Sequence, residues 1–202
     1  MKVLSPFGPK MAQLKFNKSL INKINKEVDR ISSQKKLTKK YDYSKKLVGQ
    51  VKQEIQLPKN FIKKYLAKKI NQSIKEFIKS TTGRITKTIK IKNFWVISQF
   101  SHEYNPVHYH DGHVSGVGYL KIPKFTSNKK SLTTNGTIDF INGNKMFLNN
   151  SIFNHNPKVG DVILFPNYLM HTAYPFISNG ERRSFSFNAE IDNSIANVFK
   201  NE

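Results

Sequence analysis

The sequence predicts an α+β protein in which N-terminal helices pack on a C-terminal antiparallel sandwich or barrel. Two observations carry this reading. Apolar residues recur at three- and four-residue steps through the first 85 residues and at two-residue steps from Thr86 onward. Charge divides near the same place: residues 1–92 hold 25 Lys/Arg against 5 Asp/Glu, whereas residues 93–202 hold 9 against 8.

At 202 residues the chain suits one domain. Residues 1–85 would form a basic helical part, and residues 86–202 a barrel carrying the site. With 38% hydrophobic and 12% aromatic residues, enough apolar surface exists to offset chain entropy, which excludes a disordered class. No apolar run is long enough for a membrane-spanning helix, and MKVLSPFGPK at the start lacks the apolar core of a secretory signal. The absence of cysteine removes disulfides and thiolate sites. The expectation is a cytoplasmic protein, or a viral one acting in host cytoplasm.

Taken in order, the first fifteen residues mix apolar positions with Pro6, Gly8 and Pro9, which suits an irregular or edge-strand opening. Asn17 is placed to cap a helix whose Leu20, Ile21, Ile24, Val28 and Ile31 share a stripe. Ser32 to Lys46 is polar and basic and reads as a loop, and Leu47 to Leu57 as a short helix or strand. After Pro58, Asn60 is placed to cap a second amphipathic helix with Phe61, Leu66, Ile70, Ile74, Phe77 and Ile78 on one face, ending near Gly83. Strands are expected at Thr88–Ser101, Val114–Ile122, Thr137–Phe140, Lys145–Phe147, Asp161–Phe165 and Arg183–Ile191. Asn135-Gly136, Asn142-Gly143, Gly160-Asp161 and Asn179-Gly180 mark turns between them.

All six histidines fall in the strand half. On an extended chain, residues two apart face the same side, so His108 and His110 aim two imidazoles at one point. A third ligand must come from elsewhere. GDVILFPNYLMH supplies a strand, a Pro166-Asn167 turn and then His171, which an antiparallel barrel can return beside the pair. Three such ligands would leave open positions on an octahedral ion. Singly, any of these histidines is more often a surface or hydrogen-bonded residue than a ligand.

ERRSFSFNAEI alternates Arg182, Ser184, Ser186 and Asn188 with Arg183, Phe185, Phe187 and Ala189. Arginine is scarce here, with four in the chain, so two in a row stand out. A guanidinium holds a carboxylate bidentately, and Arg182 with Ser184 would make a carboxylate clamp. An ordinary pair with Glu181 is the competing reading. Trp95, Phe100, Tyr104, Tyr109, Tyr119 and Tyr168 are candidates to line a pocket, although core packing is their commoner fate.

The order HxH, SGVGYL, GDxxxFPxxxxH, ERRSFSFN, over about Phe94 to Ile191, resembles the 2-oxoglutarate- and iron(II)-dependent oxygenases of the double-stranded β-helix fold. The family pattern is HxH, LSGVYYL and PxxxxH…ERxSxxFN. The resemblance implies a jelly-roll, cupin-like barrel buttressed by helices, with His108, His110 and His171 as iron(II) ligands and Arg182 with Ser184 gripping 2-oxoglutarate. Molecular oxygen would be the further co-substrate. Most of the wider superfamily has HxD or HxE, whereas position 110 is His. Either three histidines hold the metal, or Asp111 supplies the carboxylate; strand parity points Asp111 away.

Two other readings stay open. GDVILFPNYLMH also resembles a second cupin motif, that of a metalloenzyme without 2-oxoglutarate, although the glutamate usually following HxH is missing. The lysine-rich half suits a basic binding protein, in contact with nucleic acid or a viral particle, though solvated helix faces explain it more simply. No motif names the primary substrate.

Overall fold

The computed structural model describes residues 1–4, 8–126 and 134–197. Pro6 of the expected irregular opening lies outside them. The opening forms two short strands, β1 (Lys2–Leu4) and β2 (Met11–Lys15). Helix α1 (Lys18–Ser32) follows, and the Asn17 side chain accepts from the Leu20 amide at 2.9 Å. The cap satisfies one of the amides that a helix start leaves unpaired.

Ser32–Lys46 is not a loop. It contains helix α2 (Lys35–Tyr41), whose Leu37 and Tyr41, one helical step apart, pack against the core. Two apolar residues among lysines carry little periodic signal. Strand β3 (Gln53–Gln56) precedes a helix that opens with one turn, α3 (Lys59–Phe61), passes through a π-helical turn at Ile62–Leu66 and continues as α4 (Ala67–Thr82). Its first residue is Lys59 and its cap position Pro58, not Asn60; the Ile62 amide donates to the Pro58 carbonyl.

The strand half contributes β4 (Ile89–Gln99), β5 (Asn105–His108), β6 (Val114–Lys121), β7 (Ile138–Ile141), β8 (Ile152–His155), β9 (Asp161–Pro166), β10 (Met170–Ala173) and β11 (Arg182–Ile191), before a last turn of helix α5 (Asn193–Ala196). Lys145–Phe147 is not a strand. It lies in the β7–β8 connection, where Phe147 is 92% exposed, and the strand that pairs with β7 begins later, at Ile152.

All pairings are antiparallel. The large sheet runs β1-β2-β9-β6-β11-β4-β3 and the small one β5-β10-β7-β8, the two layers of a double-stranded β-helix. The helices cover the outer face of the large sheet, where Ile24, Val28, Ile74 and Phe77 meet Phe94, Phe185 and Phe187. A second core between the sheets joins Met11, Tyr119, Phe140, Ile163 and Phe165. Gly116 and Gly118 of β6 lie directly against Phe187 and Phe185; a Cβ at either would stand 2.4 or 2.2 Å from the ring. The SGVGYL segment is therefore bare where the aromatic face of β11 crosses it. Among the described residues no helix is long and apolar enough to cross a membrane.

Candidate functional site

The small sheet gathers the histidines. His108 ends β5 and pairs in register with His171 on β10. His110 follows β5, and the loop before β10 clamps its backbone: its amide donates to the Asn167 carbonyl, and Asn167 Nδ2 donates back to the His110 carbonyl at 3.1 Å. The Pro166-Asn167 turn thus places the third imidazole beside the first two.

One ligand atom from each of His108, His110 and His171 lies within 4.8 Å of the others, and the Nε2 atoms of His108 and His110 are 3.3 Å apart. His108 Nδ1 donates to the Pro106 carbonyl at 2.7 Å, and His171 Nδ1 to the Leu169 carbonyl at 2.9 Å. A carbonyl only accepts, so the proton sits on Nδ1 and each neutral ring presents its Nε2 lone pair inward.

Burial lowers all three pKa values: His108 below its ordinary range, His110 to about 3 with His108 adding to the effect, and His171 well down. Neutral imidazoles are the form that binds a metal. Trp95 meets His110 edge-on at 5.5 Å, and Phe165 meets His171 edge-on at 4.9 Å, walling the cluster with apolar rings.

Asp111 is not among the converging ligand atoms: it follows the end of β5 at the cavity wall, and its side chain is 73% exposed and bonds Lys92 at 2.6 Å. The three-imidazole donor set suits iron, and equally zinc, copper or nickel.

A cavity of ≈ 300 Å³ opens on the cluster. Arg182, Ser184, Ser186 and Asn188 all line it, while Phe185 and Phe187 point to the helical core. Arg182 is 2% exposed, and among the described residues no carboxylate lies in ion-pair range of it. Its Nη1 donates to Gln99 Oε1 at 2.8 Å, its guanidinium stands 5.3 Å over the Tyr119 ring, and its Nε has no partner. Burial pulls its pKa down, against the influence of Tyr119. A buried cation with a free donor is the complement of a small carboxylate. The residues therefore fit both an iron(II) ion and a 2-oxo diacid.

Of the candidate aromatics, Trp95 and Tyr109 line the cavity, Tyr119 is buried, and Phe100, Tyr104 and Tyr168 are exposed. Sequence reasoning did not single out Gln99, Glu54, Asn93 or Asn105, which also line it. Gln99 was legible in principle, because it sits opposite Arg182 across the β4–β11 pair.

Residues 93–188 match the family model described as "Putative 2OG-Fe(II) oxygenase". The fold is similar to that of a viral collagen prolyl hydroxylase from Paramecium Bursaria Chlorella virus-1, solved as its 2OG complex, with a TM-score of 0.58 and 16% identity over 89% of this chain and 94% of that one. It is also similar to a Pseudomonas putida prolyl-4-hydroxylase, with a TM-score of 0.57 and 12% identity over 90% and 91%. A Trichoplax adhaerens prolyl hydroxylase, solved with a hypoxia inducible factor peptide, gives 0.59 and 11% over 95% and 87%. No curated protein matches the sequence.

Proposed function

We propose, from the family match over residues 93–188, that the chain is a 2-oxoglutarate- and iron(II)-dependent oxygenase in which His108, His110 and His171 hold the iron through three nitrogens while Arg182 and Ser184 bind the far carboxylate of 2-oxoglutarate. One observation carries the assignment of residues: three converging imidazoles and a buried guanidinium without an acid partner share one cavity.

Iron(II) with 2-oxoglutarate supplies the oxidising chemistry, in which O₂ is consumed, 2-oxoglutarate becomes succinate and CO₂, and one oxygen atom goes to the substrate. The chain's own residues hold and shield. The Pro106 and Leu169 carbonyls fix the tautomers of His108 and His171, so neither of these two rings must turn to accept the metal. Arg182 has no acid to leave and offers its unpartnered Nε to a carboxylate, and Ser184 on the same face adds a hydroxyl donor. Trp95, Phe140 and Phe165 keep water from the far side of the imidazoles.

Residues 1–202 act as one folding unit in this reading. Strand β2 bonds β9 and β3 bonds β4, so the first 85 residues complete the large sheet as well as cover it. Lysines of α1 and α4 would make weak contacts with polyanions such as nucleic acid. Lys23 and Lys64 both stand over the Tyr65 ring, at 5.1 and 5.2 Å, beside a groove that Lys68 and Lys69 also line. Binding to single-stranded RNA should fall steeply with added salt.

The test is metal content together with succinate formation. The parent should bind about one iron and convert 2-oxoglutarate to succinate, and His171→Ala should lose the iron. Iron retained undiminished by His171→Ala, or 2-oxoglutarate bound equally by Arg182→Ala and parent, would overturn the assignment of residues.

A further inference from the structure

At the edge of the cavity formed by β3 and β5, the polarity reverses. Glu54, on the cavity face of β3, is 2% exposed, and its Oε2 has no hydrogen-bond partner. Asn105, at the start of β5, has an unpartnered Oδ1 that is also shut off from water. Both side chains converge on Gly49: a Cβ there would lie 2.6 Å from Asn105 Oδ1 and 2.7 Å from Glu54 Oε1. A third unpartnered acceptor, Asn93 Oδ1, lines the same cavity.

Among the described residues no Lys, Arg or His lies within ion-pair distance of Glu54. The charged neighbour that acts on it is Asp42, which together with burial raises the Glu54 carboxyl to about 7; burial is the larger cause. Lys46, also on the cavity wall, is exposed and stands over the Tyr43 ring, 5.3 Å from its centre.

Unpaired buried acceptors cost folding free energy. They survive where something binds them. Nothing in the iron and 2-oxoglutarate chemistry uses them, because that end of the cavity already has its cation in Arg182. The two ends are complementary in charge: at β11 a buried cation with no acid and an unpartnered Nε, at β3 and β5 buried acceptors that receive no hydrogen bond.

We propose that Glu54 and Asn105 form the recognition site for the primary substrate, and that this substrate carries a cationic nitrogen group, a protonated amine or a guanidinium, which enters between them. This rests on the oxygenase reading for the location of the substrate but on separate residues for its chemistry. A guanidinium or ammonium brings several N–H donors and a positive charge, matching an acidic group that has neither. A side chain at Gly49 would collide with both acceptors, so only a glycine lets them stay where they are.

The test uses the full chain loaded with manganese and 2-oxoglutarate, with agmatine as the cationic probe and butylurea, which has a urea head and no amine and so carries no charge, as the neutral control, followed by calorimetry. Agmatine should bind the parent at least about tenfold more tightly than the urea. Glu54→Gln, which keeps the shape and removes the charge, should abolish that preference, and Gly49→Ala should weaken agmatine binding with Glu54 intact. The 2-oxoglutarate titration on the same samples is a separate readout. Its failure in the parent falls on the oxygenase reading, while the agmatine comparison still reports on Glu54. Equal binding of agmatine and the urea by the parent, or agmatine binding undiminished in Glu54→Gln, overturns the proposal.

Discussion

Arg182 and Arg183 are neighbours on one strand, both almost fully buried, and their surroundings are opposite. Arg183 faces the helices. Its Nε and Nη2 bond both Glu181 oxygens at 2.7 and 3.0 Å, and its Nη1 reaches Asp29 at 2.8 Å and Asn25 Oδ1 at 3.1 Å on α1. Its charge is answered within the protein, and the answer ties α1 to the barrel. Arg182, one residue away and turned to the cavity, has an amide oxygen and an aromatic face but no acid among the described residues. Burying an uncompensated charge is costly. The fold tolerates it on one side of β11 and avoids it on the other, which is the difference between a binding group and a structural one.

Substitution should separate the two most sharply in ligand affinity. Arg182→Met should weaken 2-oxoglutarate by roughly 2–5 kcal/mol, the cost of removing one partner of a buried charged pair. The thermal midpoint without co-substrate should hold or rise, because the substitution removes an unpaired buried charge. Calorimetric titration and a melting curve on one sample read both. Arg183→Met should do the reverse, costing about 1.5–3 kcal/mol of stability for its lost charged hydrogen bonds, with 2-oxoglutarate affinity changed less than about threefold. Two arginines that behaved alike would erase the distinction.

The contrast was half legible in the sequence. Alternation along Arg182–Ile191 sorts the two faces, and HxH with a distant PxxxxH is enough to nominate three imidazoles. What decides that Arg182 lacks an acid is not local: Glu181 and Asp29 both lie on the Arg183 side because of strand parity and the seating of α1. The strands that carry the ligands, β5 and β10, are four residues each, too short for a two-residue period to register. Helix α2 hid for a similar reason. The Lys145–Phe147 alternation was a false strand, since hydrophobic alternation without burial signals nothing, and Phe147 and Leu148 stand in solvent. Glu54 gave no signal at all: an acid in QEIQ reads as an exposed edge position until Gly49 and Asn105 are seen to close over it.

Gly118→Ala sharpens the comparison from the aromatic side. Its Cβ would press into Phe185, on the Arg183 face, where the ring is locked between Phe16 and Phe94 at 5.5 and 5.0 Å. Overpacking there should cost at least about 1 kcal/mol, measured by denaturant midpoint. Affinity for 2-oxoglutarate should be retained, because the strain falls on the face turned away from the cavity.

The smallest effect expected is in acid, and it concerns Arg183 alone. Burial pushes the Glu181 carboxyl up, but hydrogen bonds from Arg183 and Ser98, the Arg183 charge and Lys121 outweigh burial and hold it below the usual carboxylate range. A carboxylate with a depressed folded-state pKa stabilises the fold above its unfolded pKa, and that contribution fades as pH falls through the folded value. Stability of the parent should therefore decline below about pH 4.5, the ordinary glutamate value, and part of that decline should be missing from Glu181→Gln. Arg182 has no carboxylate partner to protonate, so Arg182→Met should keep the parent's slope in this window. A flattened slope in Arg182→Met, measured by melting curves from pH 6 to pH 3, would mean that the cavity arginine shares the acid of its neighbour, and that the division between the two faces is not one of charge compensation.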